Sequence, residues 1–137
     1  DQAIGAMEVN LKWLRSRHTD YEIALPRHEL ESFAAGSGYY AGLSAQIRKD
    51  QIASWIEIYD QLYPSLRIFQ FDAHQVFSAP LTVFGPLIAN IYLGRHYIVF
   101  RDSTRVQAMT VHFDWLIREA KIDARDFISS LEALEVS

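Results

Sequence analysis

The sequence predicts an α+β domain: an antiparallel β-meander of about four strands, Leu66 to Arg101, packed by N-terminal and C-terminal helices. Three observations carry this prediction. Apolar residues recur at three- and four-residue spacing before Pro64 and after Asp102, but at two-residue spacing between them. The pairs Gly85-Pro86 and Gly94-Arg95 are turn formers that divide the middle segment at hairpin length. Finally, 137 residues, 50% of them hydrophobic and 13% aromatic, suffice for one domain to bury a core. The expected division is 1–64 mainly helical, 65–101 sheet and 102–137 helical.

In chain order, Ile4, Met7, Leu11 and Leu14 line one face of a first amphipathic helix, flanked by Val9 and Trp13. The polar stretch Arg17 to Glu22 ends that pattern. Pro26 restricts Leu25 to extended backbone and opens a short helix, Arg27 to Ala34. Gly36, Gly38 and Gly42 punctuate a turn that lacks the glycine spacing of a phosphate-binding loop. From Ser44, the stripe Ile52, Trp55, Ile56, Tyr59 and Leu62 predicts the longest helix of this half, stopped by Pro64. Its other side carries Arg48, Lys49, Asp50, Glu57 and Asp60, read as a solvated face of mixed sign.

Beyond Pro64, Leu66, Ile68 and Gln70 alternate with Arg67, Phe69 and Phe71, and apolar residues on both faces predict a covered central strand. Strands follow at Leu81 to Phe84, Leu87 to Leu93 and His96 to Phe100, with one face expected against helices and the other mixed. Asp102-Ser103-Thr104 supplies capping oxygens for a helix from Thr104 to Ala120, which buries Val106, Met109, Phe113, Leu116, Ile117 and Ala120. Asp123 starts a last short helix that buries Phe127, Leu131 and Leu134.

Composition narrows the function classes. The net charge of −4 lacks the basic excess on which sequence-independent nucleic-acid binding relies. No apolar run approaches the roughly 20 residues of a membrane span, and no secretory pattern opens the chain, so no membrane partner is expected. The absence of cysteine excludes disulfides, thiolate metal sites and cysteine nucleophiles, and fits a cytoplasmic setting. Asp1 in first position suggests a fragment, with a further N-terminal domain beyond it.

The runs Ser65 to Asp72, Ala79 to Pro86, Ile91 to Gly94, Tyr97 to Phe100 and His112 to Arg118 resemble the C-terminal domain of bacterial helix-turn-helix regulators of the xenobiotic-response-element class. The resemblance covers the last half of the chain, which is also similar to regulatory descendants of the phospholipase D sheet. It implies a domain of a bacterial transcriptional regulator that senses a small-molecule effector or forms a homodimer, and that meets DNA only through a helix-turn-helix domain outside this chain. Phospholipase D chemistry needs a His-x-Lys, in which the histidine attacks phosphorus and the lysine neutralises the oxygens. His74 is followed by Gln75 and Val76, and His96 by Tyr97 and Ile98, so both departures remove the catalytic lysine.

Other chemistries find no foothold. None of the five histidines pairs with another at helical metal-binding spacing, and a cluster of Asp72, His74, His96 and Asp102 rests on converging strand ends alone. His112 and Asp114 read as surface and cap, and Ser37 and Ser78 lack the strand-to-helix elbow of an activated serine. No catalytic residue, metal or cofactor is therefore expected. The candidates for a ligand pocket or interface are Arg67, Phe69, Phe71, Thr82, Phe84, Asn90, Tyr92, Tyr97 and Arg101, polar and aromatic residues set in apolar strands. Burial under the N-terminal helices accounts for the same residues. A stand-alone protein-interaction domain and a degenerate phosphodiesterase-like enzyme are the alternatives to a regulatory domain.

Overall fold

The computed structural model describes residues 20–93 and 96–137. The expected first helix through Ile4, Met7, Leu11 and Leu14, and the Gly94-Arg95 turn, lie outside the described residues. Within them are strands β1 (Tyr21–Pro26), β2 (Leu66–Phe71), β3 (Leu81–Phe84), β4 (Ile88–Leu93) and β5 (His96–Phe100). The helices are α1 (Arg27–Ala35), α2 (Ala45–Leu62), α3 (Ser103–Arg118) and α4 (Phe127–Glu132).

The strands form one mixed sheet in the order β2-β1-β3-β4-β5, so the α+β class holds and the four-strand meander does not. Only β3, β4 and β5 make a meander. β1 separates it from β2, pairing parallel with β2 (Ile23 with Ile68) and antiparallel with β3 (Ile23 with Thr82). The sequence reading missed β1 because Arg17 to Glu22 is polar and Pro26 marks a helix start. Yet Tyr21, Ile23 and Leu25 alternate at period two, and Pro26 is at once the last residue of β1 and the residue before α1. A parallel partner requires a crossover connection, and α1 and α2 supply it.

Both sheet faces are covered. On the first, Tyr21, Ile23, Leu66, Ile68 and Phe84 pack with Leu30 and Phe33 of α1, Ile52, Trp55 and Tyr59 of α2, and Phe127 and Leu131 of α4. On the second, Ala24, Phe69, Phe71, Leu81 and Val83 meet Phe113 and Leu116 of α3. β2, expected to be central, is an edge strand buried on both faces.

Local chemistry sets the helix ends. Ser44 Oγ accepts from the Ile47 N–H and Asp102 from the Arg105 N–H, each occupying a free first-turn donor. Gly36 closes α1 at φ 64°, a left-handed conformation that favours glycine. Arg48 corrects the reading of a solvated face. It is buried at 5% exposure, and its guanidinium donates to the carbonyls of Ala34, Leu43 and Ser137. A cation suits this place because Ala34 belongs to the last turn of α1, where unpaired carbonyls carry partial negative charge.

Tyr59 joins sheet and helices through one hydroxyl, which donates to the Ala124 carbonyl at 2.6 Å and accepts from the Ile68 N–H at 3.2 Å. Removing that oxygen in Tyr59→Phe strands two buried groups, so urea unfolding should show a loss of about 1–3 kcal/mol. Burial, against the opposing Ile68 N–H, pushes this hydroxyl from 10.0 up to about 12. Burial, with the Glu29 carboxylate 3.1 Å away, also raises that of Tyr40. The folded state therefore holds these protons more tightly than the unfolded chain does. Their stabilisation should be complete below about pH 10, where free tyrosine titrates, and be lost as pH rises toward 12. Thermal melts across that range check it, and Tyr59→Phe should flatten the decline.

Candidate functional site

The two edges of the sheet are treated differently. At β2, Gln70 exchanges main-chain hydrogen bonds with Ile122, the Gln70 N–H to the Ile122 carbonyl at 3.0 Å and the Ile122 N–H to the Gln70 carbonyl at 3.2 Å. The Gln70 side chain adds a bond of 2.8 Å to Ser130 Oγ. At Gln70, that edge is met by the chain's own return.

At β5 the edge is free among the described residues. Among the described residues β5 pairs with β4 alone, through Ala89–Phe100, Asn90–Val99, Ile91–Ile98, Tyr92–Tyr97 and Leu93–His96. Tyr97 is 48% exposed, Ile98 43% and Val99 37%, although they alternate between the two faces. Neither helix layer therefore covers this strand. Edge strands commonly carry lysine, proline or a bulge that discourages pairing with another chain. His-Tyr-Ile-Val-Phe carries no lysine or proline, and its register against β4 runs without a bulge.

The nine residues singled out by sequence do not converge on one site. Phe69 and Phe71 belong to the core under α3, and Phe84 to the core under α1, α2 and α4. Thr82, Asn90 and Tyr92 are buried on the first face, where Thr82 Oγ1 donates to Tyr92 Oη at 3.2 Å. Tyr97 continues that row toward the free edge, its ring 6.0 Å from that of Tyr92. Arg101 is exposed just past β5. Arg67 stands apart on the second face and is held within the fold, to Glu22 at 3.3 Å, Asp20 at 3.8 Å and the Pro64 carbonyl at 2.8 Å. Burial accounts for most of the set, and only Tyr97 and Arg101 reach the open edge.

Arg67 also lines a cleft of about 460 Å³ between the sheet and the start of α3, where Asp20 and Glu22 stand with Ser103, Gln107 and Thr110. Its volume lies within the range of small-ligand sites. Under the first sheet face, an apolar cavity of about 20 Å³ beside Trp55 and Tyr59 holds too little space for more than one water.

No family model matches the chain, and neither does any curated protein or solved structure.

One side-chain pair escaped the sequence reading. Ser78 and His112, 34 positions apart, meet at 2.9 Å between Oγ and Nε2, with the Trp115 ring 5.5 Å from the imidazole. His112 is thus partly buried and partnered rather than a surface residue. The arrangement differs from a nucleophile and its base. The Ala79 carbonyl, 2.9 Å from Ser78 Oγ, accepts the hydroxyl proton in competition with His112 Nε2. Among the described residues no carboxylate bonds the other ring nitrogen, the contact that orients a catalytic histidine. Nor does any group of three His, Asp or Glu among them form a metal cage, so Asp72, His74, His96 and Asp102 do not converge into one. Instead, Asp72 Oδ1 accepts from the His74 N–H at 2.9 Å in a local turn. A serine-directed fluorophosphonate should leave Ser78 unmodified at neutral pH, with intact-protein mass spectrometry as the readout; a Ser78 adduct would reveal an activated hydroxyl.

Proposed function

We propose that this chain is a non-catalytic association domain, the dimerising or ligand-sensing part of a bacterial transcriptional regulator, and that it self-associates along β5. The observation that carries the reading is the uncovered edge strand, whose unpaired main chain and apolar side chains form a template for strand addition. A homodimer follows naturally, since an antiparallel pair of identical edges is related by a two-fold axis and satisfies both copies at once.

The sequence resemblance supports the regulatory setting, in which DNA contact belongs to a helix-turn-helix outside this chain. The cleft beside Arg67 offers a place for a small effector, with carboxylates on one side and hydroxyl and amide groups on the other. A domain that recruits a different protein would use the same edge, and the mass of the complex tells the two apart. In the described residues, no helix is long and apolar enough to cross a membrane.

Sedimentation of the purified chain should give a dimer. Ile98→Lys should weaken it at least about tenfold, about 1.4 kcal/mol in association. Because Ile98 is already part-exposed, its replacement should leave the urea midpoint of the folded chain within about 0.5 kcal/mol of the parent. A chain that sediments as a monomer at micromolar concentration would sink this reading.

A further inference from the structure

The free edge has a directionality of its own. Tyr92 sends its N–H to the Pro80 carbonyl at 3.0 Å, away from β5, so the Tyr92–Tyr97 pair is a non-hydrogen-bonded one. The main-chain groups of Tyr97 therefore point outward, and those of Val99 and Arg101 follow by alternation. β5 itself ends at Phe100, and the chain bends at Asp102 (φ −72°, ψ 141°) into α3, whose first turn the Asp102 carboxylate caps.

Resting on the proposed dimer, we infer that two copies join β5 to β5 antiparallel with Val99 on the two-fold axis, making one continuous ten-stranded sheet from two five-stranded ones. The axis must stand perpendicular to the sheet, so residues that face each other share a sheet face. Several centres satisfy that condition, and the side chains they set opposite each other choose among them.

Centred on Val99, the register sets Tyr97 opposite Arg101, Ile98 opposite Phe100 and His96 opposite Asp102 of the second copy. Within β5, Val99 then exchanges a pair of main-chain bonds with its own copy across the axis. Each side-chain pair is also complementary. A guanidinium meets an aromatic ring, two apolar side chains meet on the second face, and a carboxylate meets an imidazole. Centred on Ile98, the five residues of β5 pair only among themselves, and neither Arg101 nor Asp102 faces a residue of the partner's β5. Centred on Phe100, the Asp102 carboxylate would face Ile98. The self-complementary charge pattern favours a second copy over an unrelated partner.

The chain has no cysteine, so single substitutions read the register without background. Facing residues at the axis lie about 4.5–5.5 Å apart between Cα atoms, within disulfide reach. Two Ile98 residues would be offset by two positions, about 8 Å apart and out of reach. Mild oxidation of Val99→Cys should convert the 137-residue chain to a dithiothreitol-sensitive dimer, and Ile98→Cys should stay uncrosslinked. Sedimentation under reducing conditions reports the non-covalent dimer in parallel. Crosslinking of Ile98→Cys in preference to Val99→Cys would overturn this register and leave a β5 dimer standing. Crosslinking of neither, in a chain that sediments as a dimer, would overturn both the register and the use of β5. A monomer would overturn the dimer reading itself.

Discussion

The fold depends on β1, a six-residue strand hydrogen-bonded on both sides and buried on both faces. Its parallel pairing with β2 dictates most of the remaining architecture. Parallel neighbours cannot be joined by a tight turn, so the chain must leave the sheet and return, and α1 and α2 occupy the detour. Those helices then cover the first face with α4, which leaves the second to α3. The cross-strand pair of Glu22 and Arg67 fits the same logic, since the register sets the two opposite each other near one end of β1.

Polar groups within this core are placed at joints. Tyr59 ties α2 to β2 and to the turn before α4, Gln70 ties β2 to α4, and Arg48 ties the end of α1 to the start of α2. Each meets carbonyls or amides that secondary structure leaves over, so burial of a costly group removes another cost. Trp55 Nε1 and Asn90 Oδ1 lack a partner among the described residues. Asn90 sits in the row Thr82, Asn90, Val99, where the covered part of the sheet gives way to the open strand.

Much of this was readable from local pattern. The helix boundaries at Ser44, Pro64 and Asp102 follow from caps and a proline, and the strands at Leu66, Leu81 and His96 from two-residue alternation. The parallel strand was not, because its pairing joins segments about 45 positions apart, and the short alternation of Tyr21, Ile23 and Leu25 is set between a polar stretch and the helix-opening Pro26. Arg48 misled for a related reason: helical periodicity places it on the polar face, but the α1–α2 loop and Ser137 fold over that end of the helix. The same blindness affected the candidate surface. Polar and aromatic residues within strands stand out in the sequence, but only the strand order tells which strand comes last, so nine residues qualified where Tyr97 and Arg101 alone reach the edge.

The isolation of β5 from both helix layers has an entropic consequence. Its main contacts are with its neighbour β4, so opening the strand would disturb little of either core. Yet while paired it is already extended and in register, with little backbone freedom left to lose. Docking onto such a strand orders little new chain, unlike the capture of a disordered segment, which must lose its freedom at the moment of contact. Association at this edge would thus be decoupled from folding: the described fold closes its cores within a single chain, and concentration alone would set how much of it is paired.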